Sequence, residues 1–269
     1  MALAVNPGPF SSIEETFNSY YLRDLYGTEI PVGSQDMSRF TGNIGKADVC
    51  IDEFFSMRIN ACDGLVAWDT TTNGTYSDLD GMAEWAPNKD DDGLRVVKRA
   101  MATDRRGIPL MYRFYPGSLS DLATIDRLES DIVRYGRDDA LFVMDRGFCS
   151  GANIHGMLER GRSFVIPAMT SFKAVKTLLT RFKDSKDKVS MVYDDHAYTV
   201  WKTEIGLKEA DRELVDGSKA YEMTVIGDDG HASAKKLTAY VCYDTKKYSD
   251  EVQDRELLID ALQEFARNM

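Results

Sequence analysis

The chain has 269 residues, 43% apolar and 29% charged, with a formal net charge of −11. This is ordinary globular usage, which excludes a disordered or fibrous chain, and no run approaches the roughly 18 consecutive apolar residues of a membrane span. The charge is uneven: residues 1–92 sum to −11, residues 93–183 to +7 and residues 184–269 to −7. The middle segment is either a basic face that attracts phosphates or a merely solvated surface.

The amino end, with Glu14 and Glu15 and no long apolar stretch, does not read as a signal peptide, so a cytoplasmic location is expected. Cys50, Cys62, Cys149 and Cys242 lie far apart with no CxxC pair, and His155, His196 and His231 lack metal-ligand spacing. Neither a zinc site nor a disulfide framework is expected.

Residues 1–60 read as a helical and loop region, with a helix start at Ser11-Ser12-Ile13-Glu14-Glu15 and helical spacing from Val49 to Arg58. Leu65 to Asp69 reads as the first strand. The polar stretch Gly81 to Asp92, with Pro87 and Asp90-Asp91-Asp92, reads as a loop. Leu94–Thr103 and Ile108–Tyr115 form a predicted hairpin around Asp104-Arg105-Arg106-Gly107. A helix follows with the stripe Leu122, Ile125, Leu128, Ile132 and Val133, opened by a capping box of Ser118 and Asp121 and closed by Gly136. Then come a strand from Leu141 to Met144, a short helix Ala152–Arg160 closed by Gly161, and a strand Ser163–Pro167. The strand, helix, strand crossover predicts a parallel pair beside an antiparallel meander.

Beyond a helix from Phe172 to Phe182 the pattern turns to strands, Val189–Val200, Tyr221–Ile226 and Leu237–Tyr243, the last two flanking Asp228-Asp229-Gly230. A last helix is expected over Ser249–Ala266. The predicted organisation is a helical and loop region over 1–60, a mixed α/β core over 61–170, a β-rich insertion over 171–247 and a terminal helix over 248–269.

Chemistry concentrates where two apolar runs, Leu65-Val66-Ala67-Trp68 and Leu141-Phe142-Val143-Met144, each end on an aspartate, Asp69 and Asp145. Two strands delivering carboxylates to one sheet edge suit a hard divalent cation, whose oxygen ligands cannot crowd together without a charge between them. Ordinary strand-ending turn residues are the alternative.

The strings Asp69-Thr70-Thr71-Thr72, Gly107-Ile108-Pro109-Leu110, Tyr115-Pro116-Gly117-Ser118-Leu119-Ser120-Asp121 and Asp145-Arg146-Gly147-Phe148 with Ser150 and Asn153 occur in order across about residues 60–170. Together they resemble a DDE transposase of bacterial insertion sequences. The resemblance implies an RNase H-like mixed sheet with flanking helices, plus a β-rich insertion after the fifth core strand. It implies that Asp69 and Asp145 are the first two acids of a triad binding Mg²⁺ or Mn²⁺ for phosphodiester chemistry in DNA transposition. The implied partner is DNA, at transposon ends and target, with self-association on that DNA, a nucleoid-associated location and no membrane.

Around the pair, Asp121 is a helix cap or a residue supporting the site, and Asn153 likewise. Arg146 either contacts a phosphate or forms a surface ion pair; Lys98, Arg99, Arg105, Arg106 and Arg113 are candidate phosphate contacts. Cys149, with no histidine placed to activate it, reads as a packing residue.

The resemblance places a third acid on a helix beyond the insertion, after a tyrosine and an arginine and before a lysine. Glu251, Glu256 and Glu264 are available, but Tyr248, Arg255 and Glu256 do not reproduce that spacing. A truncated chain is therefore expected, with a catalytically inactive remnant that binds transposon DNA or the intact transposase as the alternative to an active enzyme. A host nuclease of the same fold acting on RNA–DNA hybrids lacks support from the flanking strings.

Overall fold

The structure is a computed structural model that describes residues 9–27, 30–76, 81–87, 93–193, 196–213, 219–226 and 235–244. The helix expected over Ser249–Ala266, its glutamates, the Asp90-Asp91-Asp92 run and the Asp228-Asp229-Gly230 turn lie outside the described residues.

Four helices lead in: α1 (Ile13–Ser19), α2 (Leu22–Tyr26), α3 (Ser34–Ile44) and α4 (Asp48–Ala61). Ile13, Phe17, Leu22 and Val32 close a small core of their own, whereas Phe55 and Ile59 of α4 join the main one. Phe55 meets Tyr112 edge to face at 5.2 Å, which fixes α4 beside the edge of the sheet.

That sheet has five strands, β1 (Leu65–Thr75), β2 (Arg95–Thr103), β3 (Pro109–Pro116), β4 (Leu141–Met144) and β5 (Ser163–Val165), in the order β3-β2-β1-β4-β5. The first three form an antiparallel meander; β4 and β5 run parallel to β1. Between β3 and β4 lies α5 (Ile125–Arg134), and α6 (Gly151–Glu159) joins β4 to β5. This is the RNase H-like mixed α/β arrangement.

Strand alternation sorts the two faces. Val66, Trp68, Ala100, Ala102, Phe142 and Met144 point to the side covered by Ile125, Leu128 and Ile132 of α5, and all are buried. Their neighbours Leu65, Ala67, Met101 and Val143 are only partly buried, so the opposite face is half open. Glu129 also sits on the buried stripe of α5, where Arg160 and Arg162 hold its carboxylate at 2.6 and 2.7 Å.

The first strand does not stop at Asp69 as expected: it continues to Thr75 because β2 keeps pairing with it beyond the end of β4. Nor does the capping box form. Ser118 gives its N–H and its hydroxyl to Glu84, holding that carboxyl below its ordinary range, and α5 is instead entered through a 3₁₀ turn over Asp121–Thr124.

After α7 (Lys173–Asp184) comes a second sheet of β6 (Val189–Tyr193), β7 (His196–Glu213), β8 (Lys219–Val225) and β9 (Lys235–Asp244). The stretch read as one strand from Val189 to Val200 is a hairpin, Tyr193 pairing with His196. The strands β8 and β9 do not pair with each other; both pair with β7, which is long enough to take β6 and β8 in succession along one edge and β9 along the other. This sheet meets the core at the start of α6. His155 stacks on Tyr221 at 3.8 Å, and a Cβ on Gly151 would overlap the Tyr221 carbonyl oxygen, so the helix must begin on glycine.

Candidate active site

The register brings the two acids together. The last pair between β1 and β4 is Trp68 with Met144, so the next residues on parallel neighbours are Asp69 and Asp145. Adjacent strands run about 4.8 Å apart, and alternation sends both side chains to the half-open face. Both residues are exposed.

Each carboxylate is oriented by its own backbone. Oδ1 of Asp69 accepts the N–H of Thr70 at 2.8 Å, and Oδ1 of Asp145 accepts the N–H of Arg146 at 2.6 Å, capping the 3₁₀ turn Arg146–Phe148. Among the described residues neither is in an ion pair with a side chain. Paired, preoriented oxygen donors fit a hard divalent cation. Among the described residues no three of His, Cys, Asp and Glu come together to hold an ion.

Asp121 is close by, on the other face. Its Oδ1 accepts from Thr70 Oγ1 at 2.7 Å and from Lys98 Nζ at 2.6 Å. A Cβ built on Gly147 would lie 3.5 Å from its Oδ2. Asn153 is not the cap of α6; Ser150 is, accepting the N–H of Asn153. The Asn153 amide instead donates to the main-chain oxygens of Phe148 and Leu122 at 3.1 and 3.3 Å, joining the turn after Asp145 to the turn that carries Asp121.

The basic residues divide. Arg99 shares with Asp69, Thr71, Met101 and Thr103 a depression of about 360 Å³ on the half-open face, and among the described residues it has no ion-pair partner. Arg146 is exposed beside Asp145, its guanidinium likewise without a partner among the described residues. Arg105 and Arg106 are not brought to the acids. They stand in the hairpin turn near the amino end of β1, paired with Asp63 and Asp104. Arg113 is bound two-fold by Asp131. Lys98 is only 8% exposed, and its ammonium is taken by Asp121 rather than presented at the surface for a phosphate. Cys149 is buried, which pushes its thiol above the ordinary range, as a packing residue requires.

The sequence named Asn153 and Arg99 as candidates without their partners or places, and the tie of Thr70 to Asp121 was missed. Arg99 had a usable signal: opposite Thr71 in a hairpin register, it must share the face of Asp69.

The site is thus framed by two aspartates that follow the last paired residues of neighbouring parallel strands in a mixed five-stranded sheet. The family model of the transposase DDE domain matches residues 60–208, more than half of the chain, and the chain belongs to that family. Among solved structures it is similar to a piggyBac transposase in a synaptic complex with hairpin DNA, at 12% identity and a TM-score of 0.36, covering 78% of this chain and 47% of that one. It is also similar to the Mos1 transposase in a paired-end complex with the left transposon end, at 11% identity and a TM-score of 0.28, covering 69% of each chain. The chain thus spans about half the length of the piggyBac transposase chain. No curated protein matches it. No helix among the described residues is long and apolar enough to cross a membrane.

Proposed function

We propose that this chain carries the catalytic domain of an insertion-sequence transposase that cuts and joins DNA with Mg²⁺ or Mn²⁺ held by Asp69 and Asp145. The carrying observation is the register that sets the two aspartates side by side within the matched family region. A divalent ion there would supply Lewis-acid polarisation of the scissile phosphodiester and a more acidic bound water. The chain's own residues do the rest. Thr70 and Arg146 hold one oxygen of each carboxylate through main-chain N–H groups, leaving the other oxygens for the ion. Arg99 and Arg146 flank the acids as cations for phosphate oxygens, where charge matters more than geometry. The partner is DNA, at transposon ends and target. Copies associate on that DNA, and the protein works in the cytoplasm on the nucleoid.

The test is to sequence the DNA on both sides of the reading frame and to assay a duplex carrying any inverted repeats found there. Salt-dependent binding and Mn²⁺-dependent nicking are expected, with nicking reduced to background in Asp145→Asn and binding retained. Binding without nicking in the wild type would favour a non-catalytic remnant; no binding at low salt would contradict both.

A further inference from the structure

We infer that Asp121 and Lys98 form a positioning pair for the candidate carboxylates, Asp121 fixing where they stand without joining them as a ligand. This rests on the reading of Asp69 and Asp145 proposed above.

Lys98 sits in β2 with its side chain almost out of water, and an ammonium withdrawn in this way is costly unless paired. Its partner is Asp121 Oδ1, which also accepts from Thr70 Oγ1, and the N–H of Thr70 is the donor that orients Asp69. The second oxygen of Asp121 faces Gly147, two residues past Asp145, where an added Cβ would come to 3.5 Å from it. One carboxylate therefore bonds to β1 and β2 and faces the turn after β4, the three segments whose relative placement sets the separation of Asp69 and Asp145. Asn153 closes the same junction from α6 through Phe148 and Leu122.

Lys98 also determines what Asp121 does not do. Its ammonium neutralises the carboxylate, so a third acid stands near the pair without adding net negative charge. Thr70 and Lys98 project to the face of Trp68, opposite to Asp69, so Asp121 approaches the sheet from the covered side. It is a strut under the site.

The test uses the full chain and Mn²⁺ alone, read from the electron-paramagnetic signal of the free ion, with the unfolding midpoint measured in parallel. Asp121→Asn, which keeps shape and loses charge, is expected to weaken Mn²⁺ binding about 10-fold, the usual order for losing a group that orients a ligand. Lys98→Met is expected to do the same, and the double variant to be no worse than either single one, because both break one contact. Should Lys98→Met fail to fold, Asp121→Asn alone carries the comparison. Asp69→Asn is the control and is expected to abolish binding. Wild-type affinity in Asp69→Asn, or no uptake by the wild type, overturns the underlying reading and this inference with it. Loss in Asp69→Asn with unchanged affinity in folded Asp121→Asn overturns the positioning pair alone. Complete loss in Asp121→Asn would make it a ligand and overturn the strut.

Discussion

Trp68→Ala is expected to lower the unfolding free energy by about 3–5 kcal/mol, a large share of the roughly 5–15 kcal/mol that holds a domain together. Trp68 is the largest of the fully buried side chains, placed between the sheet and α5, and its indole N–H donates to the hydroxyl of Thr124 at 3.2 Å. Its removal leaves a cavity directly beneath the backbone that carries Asp69. Trp68→Phe separates packing from polarity: it keeps most of the ring contact, and Thr124 still donates to the main-chain oxygen of Asp121 at 2.7 Å, so a loss of only about 1–2 kcal/mol is expected. Urea unfolding followed by circular dichroism measures both. Equal losses in the two variants would mean that the hydrogen bond, not the ring, matters.

The second large effect is at Glu129. Its carboxylate is 3% exposed on the apolar stripe of α5, and each oxygen is held by a different arginine, Arg160 at the end of α6 and Arg162 just before β5. Breaking a buried ion pair from one side typically costs about 3–5 kcal/mol, because it strands the partner charge. Here the arginines retain other contacts, Arg160 with Asp126 and Arg162 with the main-chain oxygen of Asp138, and Arg160 is partly solvated. Glu129→Ala is therefore expected to cost about 2–3 kcal/mol, and Glu129→Gln less, since an amide can still accept from one guanidinium. The same urea titration decides it; a loss below about 0.5 kcal/mol in Glu129→Ala would show that the clasp adds nothing net.

How much of this was legible in the sequence varied with the range of the interaction. The mixed sheet was readable because each element is set by local pattern: the apolar run before Asp145, the stripe of α5, and the glycine at 107, whose φ of +75° closes the hairpin. The placement of Asp69 beside Asp145 follows once β1 and β4 are taken as parallel neighbours. What failed depended on contacts between distant segments. The length of β1 is set by β2, not by its own residues, so the strand could not be seen to run past Asp69. The Ser118 and Asp121 pair had the spacing of a capping box, yet Glu84 takes Ser118 while Thr70 and Lys98 take Asp121. Lys98 looked like a surface cation because nothing in its neighbours announces an aspartate 23 residues away. Glu129 did leave a sign, an acid at a position the apolar stripe should occupy, and such an acid is stable only with partners from elsewhere. The stretch read as one strand over Val189–Val200 did carry a sign of its division into two paired strands, the polar pair Asp194-Asp195 between two apolar-rich runs.

The central claim is that Asp69 and Asp145 act together as the cation ligands of a transposase DDE domain, and calorimetric titration of Mn²⁺ into the full chain tests it most directly. A binding heat is predicted for the wild type, lost alike in Asp69→Asn and in Asp145→Asn while both variants keep their unfolding midpoint. Identical heats in all three proteins would contradict it.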